Sequence, residues 1–240
     1  MSGKRKKYSK DEVVQIFLDG IKHKRPYMLE CVKWNGPRSK KQTPYIEIIS
    51  SLILEDETRG IVPYVDNVKH NFKYDDKRDL IKPRVSEKRL CRQWYFNAGF
   101  GSKEITEKIG IPAEYELNIV EENGGHTNVD LVSYKDGTIH LLEVKGCGRV
   151  YYNTSESLLR AVLEIKTYFE SLKNSLKEIA STCRDNNKTG IQNAYSIKMA
   201  ILVPKGSNAA KQYNNPRFPN LNKLIERWGI EVLIFDNKVQ

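Results

Sequence analysis

NVDLVSYKDGTIHLLEVKG, residues 128–146, reads as a β-hairpin of fixed register. Two apolar runs flank Asp136 and Gly137, and Asp-Gly is preferred in a two-residue type I′ turn because both positions need positive φ. With Lys135 facing Thr138, Tyr134 faces Ile139, Val132 faces Leu141, Asp130 lies opposite Glu143, and Asn128 lies opposite Lys145. Side chains alternate along a strand, so Asp130, Glu143 and Lys145 leave the sheet on one side, the two carboxylate-bearing Cβ atoms ~4.5–5.5 Å apart. Apolar residues fall on both faces, with Val129, Leu131, Leu142 and Val144 against Val132 and Leu141. Such a pattern predicts a sheet covered on both sides.

Two carboxylates directly opposite each other repel unless a cation lies between them. Two carboxylates with positions left open for water and a phosphate oxygen suit Mg²⁺, with Mn²⁺ as a substitute. Lys145 adds a point charge able to orient or deprotonate an attacking water, or to neutralise charge developing on phosphorus. An acid-x-Lys triplet occurs four times, at Asp75, Glu143, Glu164 and Asp236, but only Glu143 closes an apolar strand with an acid across a defined hairpin. The competing reading is an edge hairpin with a solvated charge cluster, which the two apolar faces oppose.

Asp130, a hairpin, then Glu143-Val144-Lys145 resembles the catalytic signature of the PD-(D/E)xK nuclease superfamily, the restriction-endonuclease-like fold. Val129 stands where the family's name has proline. The resemblance implies that Asp130 and Glu143 hold Mg²⁺, that Lys145 assists an in-line attack of water on phosphorus, and that the product carries a 5′-phosphate. It also implies an extra carboxylate from a helix ahead of the first core strand. Glu87 is the first choice, with Glu116 and Glu121 behind it; the alternative for Glu87 is an exposed first-turn residue favoured by the helix dipole. Some branches of the family support the site with a Gln and a Tyr four apart on the following helix. Glu164 and Tyr168 match that pair only loosely, and surface positions are expected for both. The expected function is a metal-dependent endonuclease of restriction or defence type, with DNA favoured over RNA as partner. A repair or junction-resolving nuclease, or a nucleic-acid-binding protein that keeps the fold without turnover, are the alternatives.

At 240 residues the chain can bury the core of one domain with an extension. Cys31, Cys91, Cys147 and Cys183 form no Cys-x-x-Cys pair and suit a reducing cytosol. Cys147 adjoins the hairpin site but has no evident His partner, so a small residue in a turn is the reading adopted over a nucleophile. Residues 1–45 hold twelve Lys or Arg against four Asp or Glu, which is eight of the ten net positive charges. This asymmetry suggests a polyanionic partner, with a solubilising tail as the alternative. The segment from Lys4 to Lys41 is expected to add salt-sensitive, sequence-independent affinity for a phosphate backbone. No apolar run is long enough for a membrane span or a signal peptide.

In chain order, Ser9 to Glu12 is a capping box opening a helix that bears Val13, Val14, Ile16, Phe17 and Ile21. Residues 1–83 form a basic, partly helical extension or small subdomain, and residues 84–240 the nuclease-like core. Pro83 marks the boundary, and Ser86 caps a helix through Glu87, Leu90, Cys91, Trp94 and Tyr95 that Gly99 stops. Residues 115–120 follow as a strand. Ser155 opens a long helix whose seam, Leu158, Val162, Ile165, Phe169, Leu172, Leu176 and Ile179, has a tail able to pair with a second subunit in a homodimer. Residues 197–203 and 230–235 are strands separated by a polar loop, residues 205–219, and a helix from Leu221 to Trp228. That loop's Lys211, Arg217, Tyr213 and Phe218 suit a grip on nucleic acid or an ordinary surface. The order helix, three strands, helix, strand, helix, strand predicts an α/β protein, a mixed central sheet with helices on both faces in an αβββαβ core.

Overall fold

The structure is a computed structural model that describes residues 7–21, 26–33, 42–57, 59, 61, 68–69, 87–120, 126–145 and 156–236. It is an α/β fold around one mixed sheet in the order β1 to β6. The strands are β1 (Val68–Lys69), β2 (Ile111–Val120), β3 (His126–Lys135), β4 (Thr138–Val144), β5 (Ser196–Pro204) and β6 (Ile230–Phe235). The first four pair antiparallel, while β4 with β5 and β5 with β6 are parallel. Parallel neighbours need crossovers. The first runs through α6 (Leu158–Leu172) and α7 (Leu176–Thr182), the second through α8 (Asn208–Gln212) and α9 (Pro219–Arg227).

The hairpin forms as its turn dictates. Asp136 and Gly137 have φ of 46° and 80°, both positive as a type I′ turn requires. The pairs Lys135 with Thr138, Tyr134 with Ile139 and Val132 with Leu141 have the register expected from the turn. One face of the sheet, including Leu141, Met199, Ile201 and Val232, packs on α6 and α9 and on three N-terminal helices, α1 (Lys10–Ile21), α2 (Glu30–Lys33) and α3 (Tyr45–Glu55). The opposite face, with Leu131, Leu142, Val144 and Leu202, packs on α4 (Glu87–Phe96) and α5 (Lys103–Ile109). Val129 departs from the expected alternation, since it joins Leu117 in the core of the α6 side while Leu131 and Tyr115 face the other. The switch falls where Glu116, between the paired residues Tyr115 and Leu117, holds φ of 49°. A left-handed residue in a strand breaks the pleat as a bulge does.

Helix ends follow local chemistry. Ser9 and Glu12 cap α1 reciprocally, Ser9 N–H donating to Glu12 Oε2 at 2.7 Å and Glu12 N–H to Ser9 Oγ at 3.2 Å. The helix after Pro83 ends one residue before the expected stop. Ala98, at φ of 52°, takes the left-handed place, and Gly99 N–H closes on Trp94 O at 3.1 Å while Ala98 N–H reaches Tyr95 O at 3.2 Å. The expected long helix is two. Lys173, Asn174 and Ser175 interrupt it, Ser175 N–H turning back to Leu172 O at 2.8 Å, and the cap of α6 is Ser157. Asn and Ser compete with the helix for backbone hydrogen bonds, which favours a break there. Both halves of the seam are buried in the chain's own core: Leu158, Val162, Ile165, Leu172 and Ile179 all lie in one cluster. Ser86, Glu121, Cys147 and Ser155 lie outside the described residues. Among the described residues Cys31, Cys91 and Cys183 are free and buried, and no helix is long and apolar enough to cross a membrane.

Candidate metal centre

The site lies where β4 ends. The ladder of β3 and β4 runs to Leu131 with Leu142, and the next residues on the two strands are Asp130 and Glu143. There the side chain takes over from the ladder: Val144 N–H donates to Asp130 Oδ2 at 2.8 Å, fixing the carboxylate against the strand it faces. Glu87, the first residue of α4, completes the group. One oxygen from each of Glu87, Asp130 and Glu143 lies within 4.8 Å of the other two. Glu87 is thus a half-buried member of the cluster rather than an exposed first-turn residue. Glu116 is elsewhere, its Oε1 2.7 Å from Lys88 Nζ.

Lys145 follows β4 directly, its N–H held by Leu202 O of β5 at 3.0 Å. Its ammonium contacts Glu143 and lies 2.7 Å from Glu164 Oε2 on α6. Arg160, one turn earlier, brings Nε to 3.6 Å of the same oxygen and pairs with Glu156. Glu164 and Tyr168, expected at the surface, are buried at 7 % and 3 % relative exposure. The reason is that α6 is covered on more than its seam: the sheet lies on one side and the N-terminal helices on another, with Ser157 N–H bonded to Lys33 O at 3.0 Å. Leu159, Ala161 and Leu163, off the seam, signal this in the sequence, because a helix apolar around most of its circumference is buried around it.

Electrostatics follow from crowding and loss of water. Desolvation, then the charge of Glu87, lifts the Asp130 pKa from 3.8 to about 8. Burial and the neighbouring Asp130 raise Glu143 well above the usual carboxylate range, and burial raises Glu87. For Lys145 burial works against the charge, but the fields of Glu143, Glu164, Glu87 and Asp130 outweigh it and hold the ammonium protonated. Burial, Glu143 and Glu164 keep Tyr168 a neutral phenol, whose oxygen accepts from Thr127 Oγ1 at 3.3 Å. Three carboxylates that resist ionising together have the chemistry of a site that could hold a metal ion.

The polar loop of residues 205–219 is an ordered brace for this end of the sheet. It contains α8, Gln212 Oε1 accepts from Leu158 N–H at 2.7 Å, and Phe218 is buried, while Lys211 and Arg217 are exposed. Phe218 is therefore not available for stacking on a base. Comparison with protein-family models, with curated proteins and with solved structures returns no match.

Proposed function

We propose that this chain is a metal-dependent nuclease of the PD-(D/E)xK kind, hydrolysing phosphodiester bonds in DNA as an endonuclease. On this reading α4, β2, β3, β4, α6, β5 and β6 form its restriction-endonuclease-like core. One observation carries the reading: acids from three separate elements, Glu87, Asp130 and Glu143, converge beside a buried lysine. Glu87, Asp130 and Glu143 would hold Mg²⁺, which when bound polarises a phosphoryl oxygen and makes water a better nucleophile. Val144 N–H keeps Asp130 oriented toward that position. Lys145, held protonated by four carboxylates, stabilises negative charge developing on phosphorus rather than taking the proton from water. A basic N-terminal segment favours a polyanionic substrate.

The test is incubation with plasmid, linear and branched DNA and with RNA, with and without Mg²⁺. DNA cleavage should require the metal and leave 5′-phosphate ends. Lys145→Ala should slow it ~10²–10³-fold, and Glu143→Ala should abolish it with the fold intact. Mg²⁺-dependent cleavage retained in both variants refutes the assignment. Binding to DNA without cleavage across all substrates points instead to a nucleic-acid-binding protein on the same fold.

A further inference from the structure

Among the described residues Lys145 has two carboxylate partners, and one of them, Glu143, belongs to the acidic triad. Its Nζ contacts Glu143 and lies 2.7 Å from Glu164 Oε2. The three residues keep only 5 %, 3 % and 7 % of their surface, so the ammonium has little water to fall back on, and a buried charge that loses its partner is strongly destabilised. If Glu143 gives an oxygen to a divalent cation, Lys145 keeps Glu164 as its remaining close anion and acquires a doubly charged neighbour. Arg160 brings a second positive charge to 3.6 Å of Glu164, without a hydrogen bond, and is itself paired with Glu156.

We infer that Glu164 is a positioning residue: it shares Lys145 with Glu143, so that it can hold the ammonium in place when Glu143 turns to a divalent cation. The inference rests on the metal site proposed above, but not on turnover. A glutamine at position 164 would still fill the space and offer an oxygen, yet would leave Lys145 with Glu143 as its one close anion. The lysine would then compete with the metal for Glu143.

The experiment is a double-mutant cycle on the full-length protein, with Mn²⁺ affinity read from the electron paramagnetic resonance signal of free Mn²⁺. Glu164→Gln should weaken Mn²⁺ binding ~10–100-fold, the usual effect of losing a partner one shell out from a metal. In a Lys145→Met background the same change should shift affinity by less than about 3-fold, the scatter of sites that do not interact. Equal weakening in both backgrounds overturns the inference, because Glu164 would then act on the ion by its own charge. An unchanged affinity in Glu164→Gln alone also overturns it. Should that single variant fail to fold, Lys145→Met and the double variant, neither of which buries an unpaired ammonium, still decide the question, and a difference of about 10-fold between them overturns the proposal. A wild-type protein that binds no Mn²⁺ overturns the metal reading and this inference together. Mn²⁺ binding that follows the cycle in a protein without nuclease activity supports the inference and overturns the proposed function.

Discussion

Asp130 keeps a proton in the folded protein that the unfolded chain has already lost. Its pKa rises from 3.8 to about 8 on folding, through desolvation first and Glu87 second. Between those values the native state binds more protons than the unfolded one, so stability falls as pH rises; the contribution is complete below pH 3.8 and lost by passage through pH 8. In EDTA, the urea midpoint of Asp130→Asn relative to that of the wild type should rise steadily as the pH is raised from 4.5 to 8.5. Saturating Mg²⁺ at pH 8.5 should raise the wild-type midpoint and leave that of the substituted protein nearly unmoved. Much of this site is legible in the sequence, because Asp136-Gly137 fixes a register and the register fixes which acids meet. Glu87 is legible only through the family resemblance, since nothing near it in the sequence says where α4 points. Glu164 lies off the seam, and its burial is legible only in the apolar residues around it, Leu159, Ala161 and Leu163, because the cover comes from helices more than a hundred residues earlier in the chain.

At the scale of elements, the ends of helices carry the clearest expectations. Gly99 suggests where α4 stops, yet the left-handed residue is Ala98 at φ of 52°. A side chain there costs roughly 1–2 kcal/mol, against a loss of unfolded-state freedom that glycine adds back in part. Ala98→Gly should therefore stabilise by about 0.5–1 kcal/mol, seen as a higher urea midpoint with an unchanged m-value. Glu47 of α3 is a cap for another helix: it accepts from Asn220 N–H at 3.1 Å and Leu221 N–H at 2.8 Å at the start of α9. It is buried, and its pKa is raised by that burial. Glu47→Ala leaves two amides unpaired and should destabilise by about 2–3 kcal/mol in the same assay. No local pattern announces such a cap, since a glutamate in the first turn of α3 looks like ordinary dipole chemistry. The strand β5, by contrast, carries an apolar run from Met199 to Val203 that is buried on both faces and closed by Pro204, which leaves it little choice, whereas β6 keeps Glu231 and Ile234 exposed.

Across the whole molecule, the N-terminal helices and the sheet share a core: Val13, Phe17, Ile46, Ile49 and Ile53 lie in one cluster with Ile201, Leu224 and Val232. That limits which residues can be removed to test the basic segment. Tyr8 is tied to Tyr45, whose hydroxyl donates to Tyr8 O at 3.1 Å, and Ser9 caps α1, whereas Lys7 is exposed. Deleting residues 1–7 removes Lys4, Arg5, Lys6 and Lys7. If all four contact phosphates, the slope of log affinity for DNA against log salt should flatten by up to ~0.9 per lysine or arginine, equally for every duplex sequence. An unchanged slope would make these residues a solubilising tail. The cap that Glu47 gives to α9 spans 173 and 174 residues of chain, and the ribosome delivers those two partners far apart in time. Through most of translation α3 has been made and α9 has not, so Ile46, Ile49 and Ile53 wait without the helix that covers them. Until α9 covers them, these residues are an apolar surface on which the growing polypeptide can aggregate. Slow codons between Pro204 and Pro219 would lengthen that exposure.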